Sequence, residues 1–246
     1  MPGLYKDEAV VLKTIKLGEA DRILTLMTRS HGKVRAVAKG VRKTKSRWGG
    51  RLEPFTRVDL MLYKGRKDLD TITSADILTS FDAVKKDYAR LTAAAALADI
   101  VDKITPDRER AFSTYALLVG GLQALADDKG GTVVPAFLVK LLSICGYHPE
   151  LKFCAGCGDG SSSRSGRLGG FSPSLGGVVC EDCYEADDSA LRMPPERIAL
   201  LSRLLVSEFG ELASAEETEA VTSALRRYAE FHLERPLKSL HLLAVP

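Results

Sequence analysis

Near Ser80 the apolar residues change their spacing, and few folds accommodate both halves of that pattern. Upstream, short β-favouring runs lie at Ala9–Leu12, Ile23–Thr28, Val34–Val37 and Val58–Tyr63; in the last, Val58, Leu60 and Leu62 share one face. Turn-forming clusters separate the runs at Ser30-His31-Gly32, Gly49-Gly50 and Lys64-Gly65-Arg66, and Leu69–Ile72 supplies a return strand. Downstream the steps lengthen to three and four residues. Phe81, Val84, Tyr88, Leu91, Ala95, Ala98, Val101 and Ile104 form one helical stripe that Thr105-Pro106-Asp107 ends. A second helix over 108–126 turns Phe112, Tyr115, Val119, Leu122 and Leu125 inward. A third, over 134–145, closes at Gly146 and leaves Cys145 buried at its end. Helices resume after Pro194-Pro195, with Ile198, Leu201, Leu204 and Leu205 on one face, then Val221, Leu225, Tyr228, Phe231 and Leu233.

The expected fold class is therefore α+β and multi-domain. An N-terminal OB-fold β-barrel occupies 1–80, followed by an α-helical domain in two parts, 81–152 and 187–246, that share one core. Between those parts, 153–186 breaks the helical pattern and forms an inserted module. No apolar run approaches the ~18 residues that cross a bilayer, and the first residues lack the charged head and apolar stretch of a secretory signal. The expectation is a cytoplasmic protein without a membrane partner.

Charge is unevenly placed. Residues 1–80 hold 17 of the 35 Lys and Arg but only 9 of the 32 Asp and Glu, and Arg22–Leu52 contains ten basic residues and no acidic one. Clustered positive charge releases counterions on meeting phosphates, so this segment suits a polyanion. A solvated basic face is the plainer alternative. Lys33, Arg35 and Lys39 lie on or just after one strand, outward if Val34, Ala36 and Ala38 face the barrel interior. Arg42, Lys43, Lys45, Arg47 and Arg51 follow in the loop, with Trp48, the only tryptophan, among them. An exposed ring there would let bases stack; a ring packed on the barrel would instead close it.

Four of the five cysteines form two Cys-x-x-Cys pairs, Cys154/Cys157 and Cys180/Cys183, with 22 residues between them. Each pair turns two thiolates toward one centre, and together they match the four-sulfur shell of one structural zinc ion. Leu168–Val179 reads as a hairpin bent at Ser172-Pro173-Ser174, as in a zinc ribbon. Four thiolates already complete the shell, so His148 is not expected to be a ligand. No Walker A sequence, HExxH or nucleophile elbow is present, and the four histidines are scattered, so no catalytic residues are assigned and a non-enzyme is expected.

Several stretches resemble the RecO family of bacterial recombination mediators: Gly18-Glu19-Ala20-Asp21-Arg22-Ile23-Leu24-Thr25-Leu26-Met27-Thr28, Gly32-Lys33, Ala38–Lys43, Leu52-Glu53-Pro54-Phe55 and Leu237–Leu240. The resemblance runs over nearly the whole length and implies a DNA-repair protein that binds single- and double-stranded DNA and anneals complementary strands. It further implies work with RecR to load RecA on strands coated by single-stranded DNA-binding protein (SSB), at the nucleoid. SSB would be met through its acidic, apolar C-terminal tail, for which Arg226 and Arg227 beside Leu225 and Tyr228 are candidates. An RNA-binding or ribosome-associated OB-fold protein with a structural zinc ribbon would share the barrel and the charge.

Overall fold

The computed structural model describes residues 3–44, 46, 48, 50–65, 68–158 and 168–241. Five strands, β1 (Leu4–Leu17), β2 (Asp21–Thr28), β3 (Gly32–Ala38), β4 (Arg57–Tyr63) and β5 (Asp70–Thr79), close into a barrel in the order β1-β2-β3-β5-β4. This is an OB-like closure, with β1 shared between two neighbours. Its first half pairs with β4, its second half with β2, and a register shift between Val11 and Lys13 bends it from one to the other. The interior is filled by the alternate residues expected from the pattern, among them Leu24, Leu26, Ala36, Ala38, Val58, Leu60, Leu62 and Ile72.

Three helices follow: α1 (Asp82–Lys86), α2 (Tyr88–Ile104) and α3 (Phe112–Ala126). The single long helix expected from Phe81 to Ile104 is interrupted. Asp87 is extended, and its carboxylate accepts from the Arg90 backbone N–H at 2.9 Å, capping α2. The break resets the helical phase. Tyr88 is consequently 84% exposed, while Ala94, Leu97, Ala98 and Val101 form the buried face.

The chain divides into two compact units, 1–127 and 128–246. Helices α1–α3 thus belong with the barrel, where α2 and α3 lie against the outward side of β1. This departs from the common core expected for 81–152 and 187–246. The reason is the outer face of the barrel: Val10 and Leu12 point outward, away from the interior set Ala9 and Val11, and yet are buried.

Polar contacts fasten this packing. Asp70 is fully buried; its carboxylate accepts from Tyr5 Oη at 2.5 Å, from the Gly65 N–H at 3.0 Å and from Arg108 Nη2 at 3.0 Å. Burial alone would raise the Asp70 pKa, but the Arg108 guanidinium and the other donors outweigh it and hold the carboxyl below its usual range. A second clamp joins Glu8, Arg57 and Tyr115, with Arg57 Nη2 2.6 Å from Glu8 Oε2 and Tyr115 Oη donating to the same oxygen at 3.1 Å. At the β2–β3 turn Gly32 has φ +70°, and a Cβ there would fall 1.7 Å from the Glu109 carbonyl oxygen. The Arg108 N–H donates to the Lys33 carbonyl beside it at 2.9 Å.

The second unit contains α4 (Val133–Ile144), a three-stranded sheet of β6 (Leu168–Ser172), β7 (Gly177–Cys180) and β8 (Leu191–Arg192), and α5 (Glu181–Glu185). It ends with α6 (Pro195–Val206), α7 (Ala215–Leu233) and α8 (Lys238–His241). Helix α4 packs on α6 and α7, burying Phe137, Leu141, Leu201 and Leu225. Two expectations shift here. Cys145 is half-buried rather than buried, and Phe231 is 51% exposed. Gly146 does close α4, at φ +91°. No helix among the described residues is long and apolar enough to cross a membrane.

Gly32→Ala is expected to lower unfolding stability by about 2–3 kcal/mol, combining a positive-φ penalty with the Glu109 clash. Gly50→Ala, which meets open space, should change it by less than about 0.5 kcal/mol, and urea titration of both variants checks the contrast. For Asp70, a depressed folded pKa means stability that is present above the unfolded value of about 3.9 and lost as pH falls through the folded value. Asp70→Asn should therefore cost about 3 kcal/mol near neutral pH, with the gap to the parent narrowing below about pH 4 in pH-dependent urea melts.

Candidate nucleic-acid interface and thiolate cluster

The outward side of β1, β2 and β3 carries two cross-strand rows near the β1–β2 turn. One row is Lys13, Thr25 and Arg35, and the next is Ile15, Ile23 and Val37. Lys39 follows just beyond the end of β3. Arg35 and Lys39 are exposed, and so is Ile15. The β1–β2 turn projects past this surface and braces the segment after β3. Asp21 Oδ1 accepts from the Gly40 N–H at 2.7 Å, and the Ala20 carbonyl accepts from the Arg42 N–H at 2.9 Å. The Gly18 carbonyl takes the Arg42 guanidinium at 2.9 Å. The Gly18–Arg22 stretch is thus a scaffold that positions Arg42 and Lys43, both exposed.

The sequence-derived basic residues separate into three groups. Arg35, Lys39, Arg42 and Lys43 are exposed and carry no ion pair among the described residues. Lys33 is on the same outward side but is not available. Its Nζ donates to the Asp102 carbonyl at 2.5 Å and pairs with Asp107 Oδ1 at 3.1 Å, with only 12% of the side chain exposed, so its charge is neutralised internally. Arg51 is half-buried and donates to the Trp48 carbonyl at 3.3 Å. Lys45 and Arg47 lie outside the described residues.

Trp48 is not an exposed ring among the cations. It is 2% exposed and belongs to the barrel's interior cluster with Leu24, Ala38 and Leu52. Its indole N–H donates to the Lys39 carbonyl at 2.8 Å. A large ring fills the end of the barrel because β3 contributes only alanines, Ala36 and Ala38, to that part of the core. The ring is therefore a plug and presents no face to a base.

Sequence reasoning missed Lys16, which is exposed and stands directly opposite Arg22 across the β1–β2 ladder. Like charges in that position repel, and here the Glu53 carboxylate offsets them, 3.4 Å from Arg22 Nη1. Lys16 went unseen because β1 extends five residues past the expected end at Leu12.

In the second unit the two Cys-x-x-Cys pairs converge. Sγ of Cys154, Cys157, Cys180 and Cys183 all lie within 4.8 Å of one another, and Cys157 Sγ is 3.9 Å from Cys180 Sγ. A thiolate tetrahedron with bonds of ~2.3 Å has edges of about 3.8 Å. The first pair sits in the turn before the hairpin; the second spans the end of β7 and the start of α5. Gly156 allows the two to close, since a Cβ there would meet Cys183 Sγ at 2.8 Å. The hairpin bends at 173–176 as expected, and β8 adds a third strand that the sequence did not reveal.

The thiols are unequal. Burial resists ionisation of Cys154, but backbone N–H groups of Cys157, Cys180 and Gly156 outweigh it and bring the pKa to about 6. Cys183 is pushed up to about 12 by burial and by the sulfurs around it. Four thiols this close cannot all ionise without a cation among them, so the donor set fits a thiophilic metal ion. His148 lies apart, with Nδ1 3.1 Å from Ser143 Oγ.

Comparison with known proteins finds two family models, divided between residues 81 and 85 and not at the structural boundary after residue 127. Residues 1–81 match the family model described as recombination protein O N terminal, and residues 85–241 match recombination protein O C terminal. Among curated proteins, the chain is 44% identical over 243 residues to the DNA repair protein RecO of Nocardioides sp. (strain ATCC BAA-499 / JS614), covering 96% of this chain and 98% of that protein. It is 41% identical to the protein of the same name from Bifidobacterium adolescentis, covering 98% and 99%. The Thermobifida fusca protein of that name is also 41% identical, with 98% of each chain covered.

With a divalent ion bound, a thiol reagent should modify only Cys145, and all five cysteines should react after chelation. Gly156→Ala should weaken ion binding about tenfold or more, measured by competition with a chromophoric chelator.

Proposed function

The chain belongs to the recombination protein O family, and on that premise we propose that it is a non-enzymatic DNA repair and homologous recombination mediator. In this reading it binds single- and double-stranded DNA, anneals complementary strands and, with RecR, assists RecA loading on SSB-coated strands. It does this in the cytoplasm, at the nucleoid. The observation that carries the reading is the set of exposed cations with no ion pair among the described residues, Arg35, Lys39, Arg42 and Lys43, on β3 and the braced segment that follows it. Two polyanions approach only when their charge is neutralised, and such a surface does this without nucleotide hydrolysis.

The ion of the four-cysteine cluster is assigned as zinc, one per chain and structural. Four thiolates complete its tetrahedral shell and leave no position for water or substrate. Its binding free energy would hold together a hairpin that has few apolar residues of its own. For the SSB tail, Arg227 on α7 is exposed and is the better-placed of the two arginine candidates; Arg226 is half-buried.

Single-strand binding should fall with salt. Four phosphate contacts at ~0.7 each give a log-log slope of about −2.8, or roughly 50-fold between 50 and 200 mM. Combined Arg35→Glu and Lys39→Glu substitution should weaken binding at least tenfold at low salt and flatten the slope, read by fluorescence anisotropy. Annealing of complementary strands should proceed without nucleotide. An equal affinity of the double variant and the parent, or annealing that requires ATP, would refute the assignment; tighter binding of matched RNA than DNA would favour the RNA-binding reading.

A further inference from the structure

Resting on the reading that this face binds a single strand, we propose that it grips the strand by its phosphates and leaves the bases turned to solvent, so that they stay available for pairing. Every Phe, Tyr and Trp of the chain lies among the described residues. Strands β2 and β3 contain none, and neither does the β1–β2 turn. On β1 the one ring is Tyr5, whose hydroxyl is tied to Asp70. In the segment between β3 and β4, Trp48 is inside the barrel and its N–H is engaged by the Lys39 carbonyl, while Phe55 is 8% exposed. The exposed ring of Phe112 lies against Arg29, beyond the far end of β2, so no Phe, Tyr or Trp ring stands as a stacking platform beside Arg35, Lys39, Arg42 and Lys43.

In its place stands the aliphatic row of Ile15, Ile23 and Val37, of which Ile15 is exposed, Ile23 half-buried and Val37 buried, with Arg35 and Lys39 flanking Val37 along the strand direction. Branched aliphatic side chains have no π-face; they can pack on a sugar but gain little from a base. The cations supply attraction to phosphate, which is the same on every nucleotide. Arg42, the guanidinium nearest the turn, is held by the Gly18 carbonyl at 2.9 Å, which restrains it from lying flat on a base. A surface of this kind distinguishes neither base identity nor one strand from two, because only the backbone is read. It differs in kind from single-strand binders that stack bases and so must release them before a complement can pair.

The decisive measurement compares a normal oligonucleotide with an abasic strand of the same length and charge. Affinities within about threefold of each other, with equal salt slopes, are expected. A stacking face would lose about fivefold or more for each stacked base removed. In parallel, thymines of a bound oligothymidylate should stay reactive to permanganate within about twofold of the free strand. Ile15→Trp, which installs a ring, should bind the normal strand about fivefold more tightly, gain nothing on the abasic strand and anneal complements more slowly. Abasic binding weaker by tenfold or more, or thymines protected in the complex, would overturn this inference while leaving DNA binding intact. Failure to bind the normal strand would instead overturn the functional reading itself, and this inference with it.

Discussion

The barrel closes through only two residue pairs, Ala36 with Asp70 and Val37 with Thr71, where β3 and β5 run parallel. So short a ladder cannot hold the seam by backbone hydrogen bonds alone. Asp70 makes up the difference: it ties β5 to Tyr5 of β1, to Gly65 of the β4–β5 connection and to Arg108 of the segment between α2 and α3. A buried carboxylate with three kinds of donor is stable where a lone one would not be, and removing Arg108 would leave its charge without a counter-charge. The seam holds one edge of β3 while the ladder with β2 holds the other, and together they set the outward positions of Arg35 and Lys39.

Much of this was legible from spacing. The interior set Val58, Leu60 and Leu62, the turn at Gly32, the hairpin between the cysteine pairs and the helix end at Gly146 all follow from local pattern, because each is decided by residues close in sequence. What escaped was decided elsewhere. Lys33 near the start of β3 and Lys39 just past its end lie in the same alternation, yet one is neutralised by Asp102 and Asp107 and the other is open. Nothing near either lysine records that difference. Trp48 escaped for a similar reason: its neighbours in sequence are cations, while its neighbours in space are the alanines and leucines of the barrel.

The partition of the helices gives a third instance. Periodicity established that 82–126 is helical but is silent about which surface each stripe covers. The outward-facing Val10 and Leu12 needed a cover, and α2 with α3 supplies it. For the cysteine pairs sequence was almost sufficient, since tetrahedral thiolate chemistry leaves few alternatives. Even there the role of Gly156 is visible only once Cys183 is seen against it.

The bracing of the residues after β3 by Asp21, Ala20 and the indole of Trp48 has a thermodynamic consequence. A cationic arm that must be ordered by its ligand loses chain freedom on every encounter. Here the backbone beneath Lys39, Gly40 and Arg42 is already settled by folding, so little of that entropy remains to be lost and mainly side-chain rotamers tighten on contact. Folding of the barrel has thus already met most of the ordering cost that a ligand of this surface would otherwise have to supply.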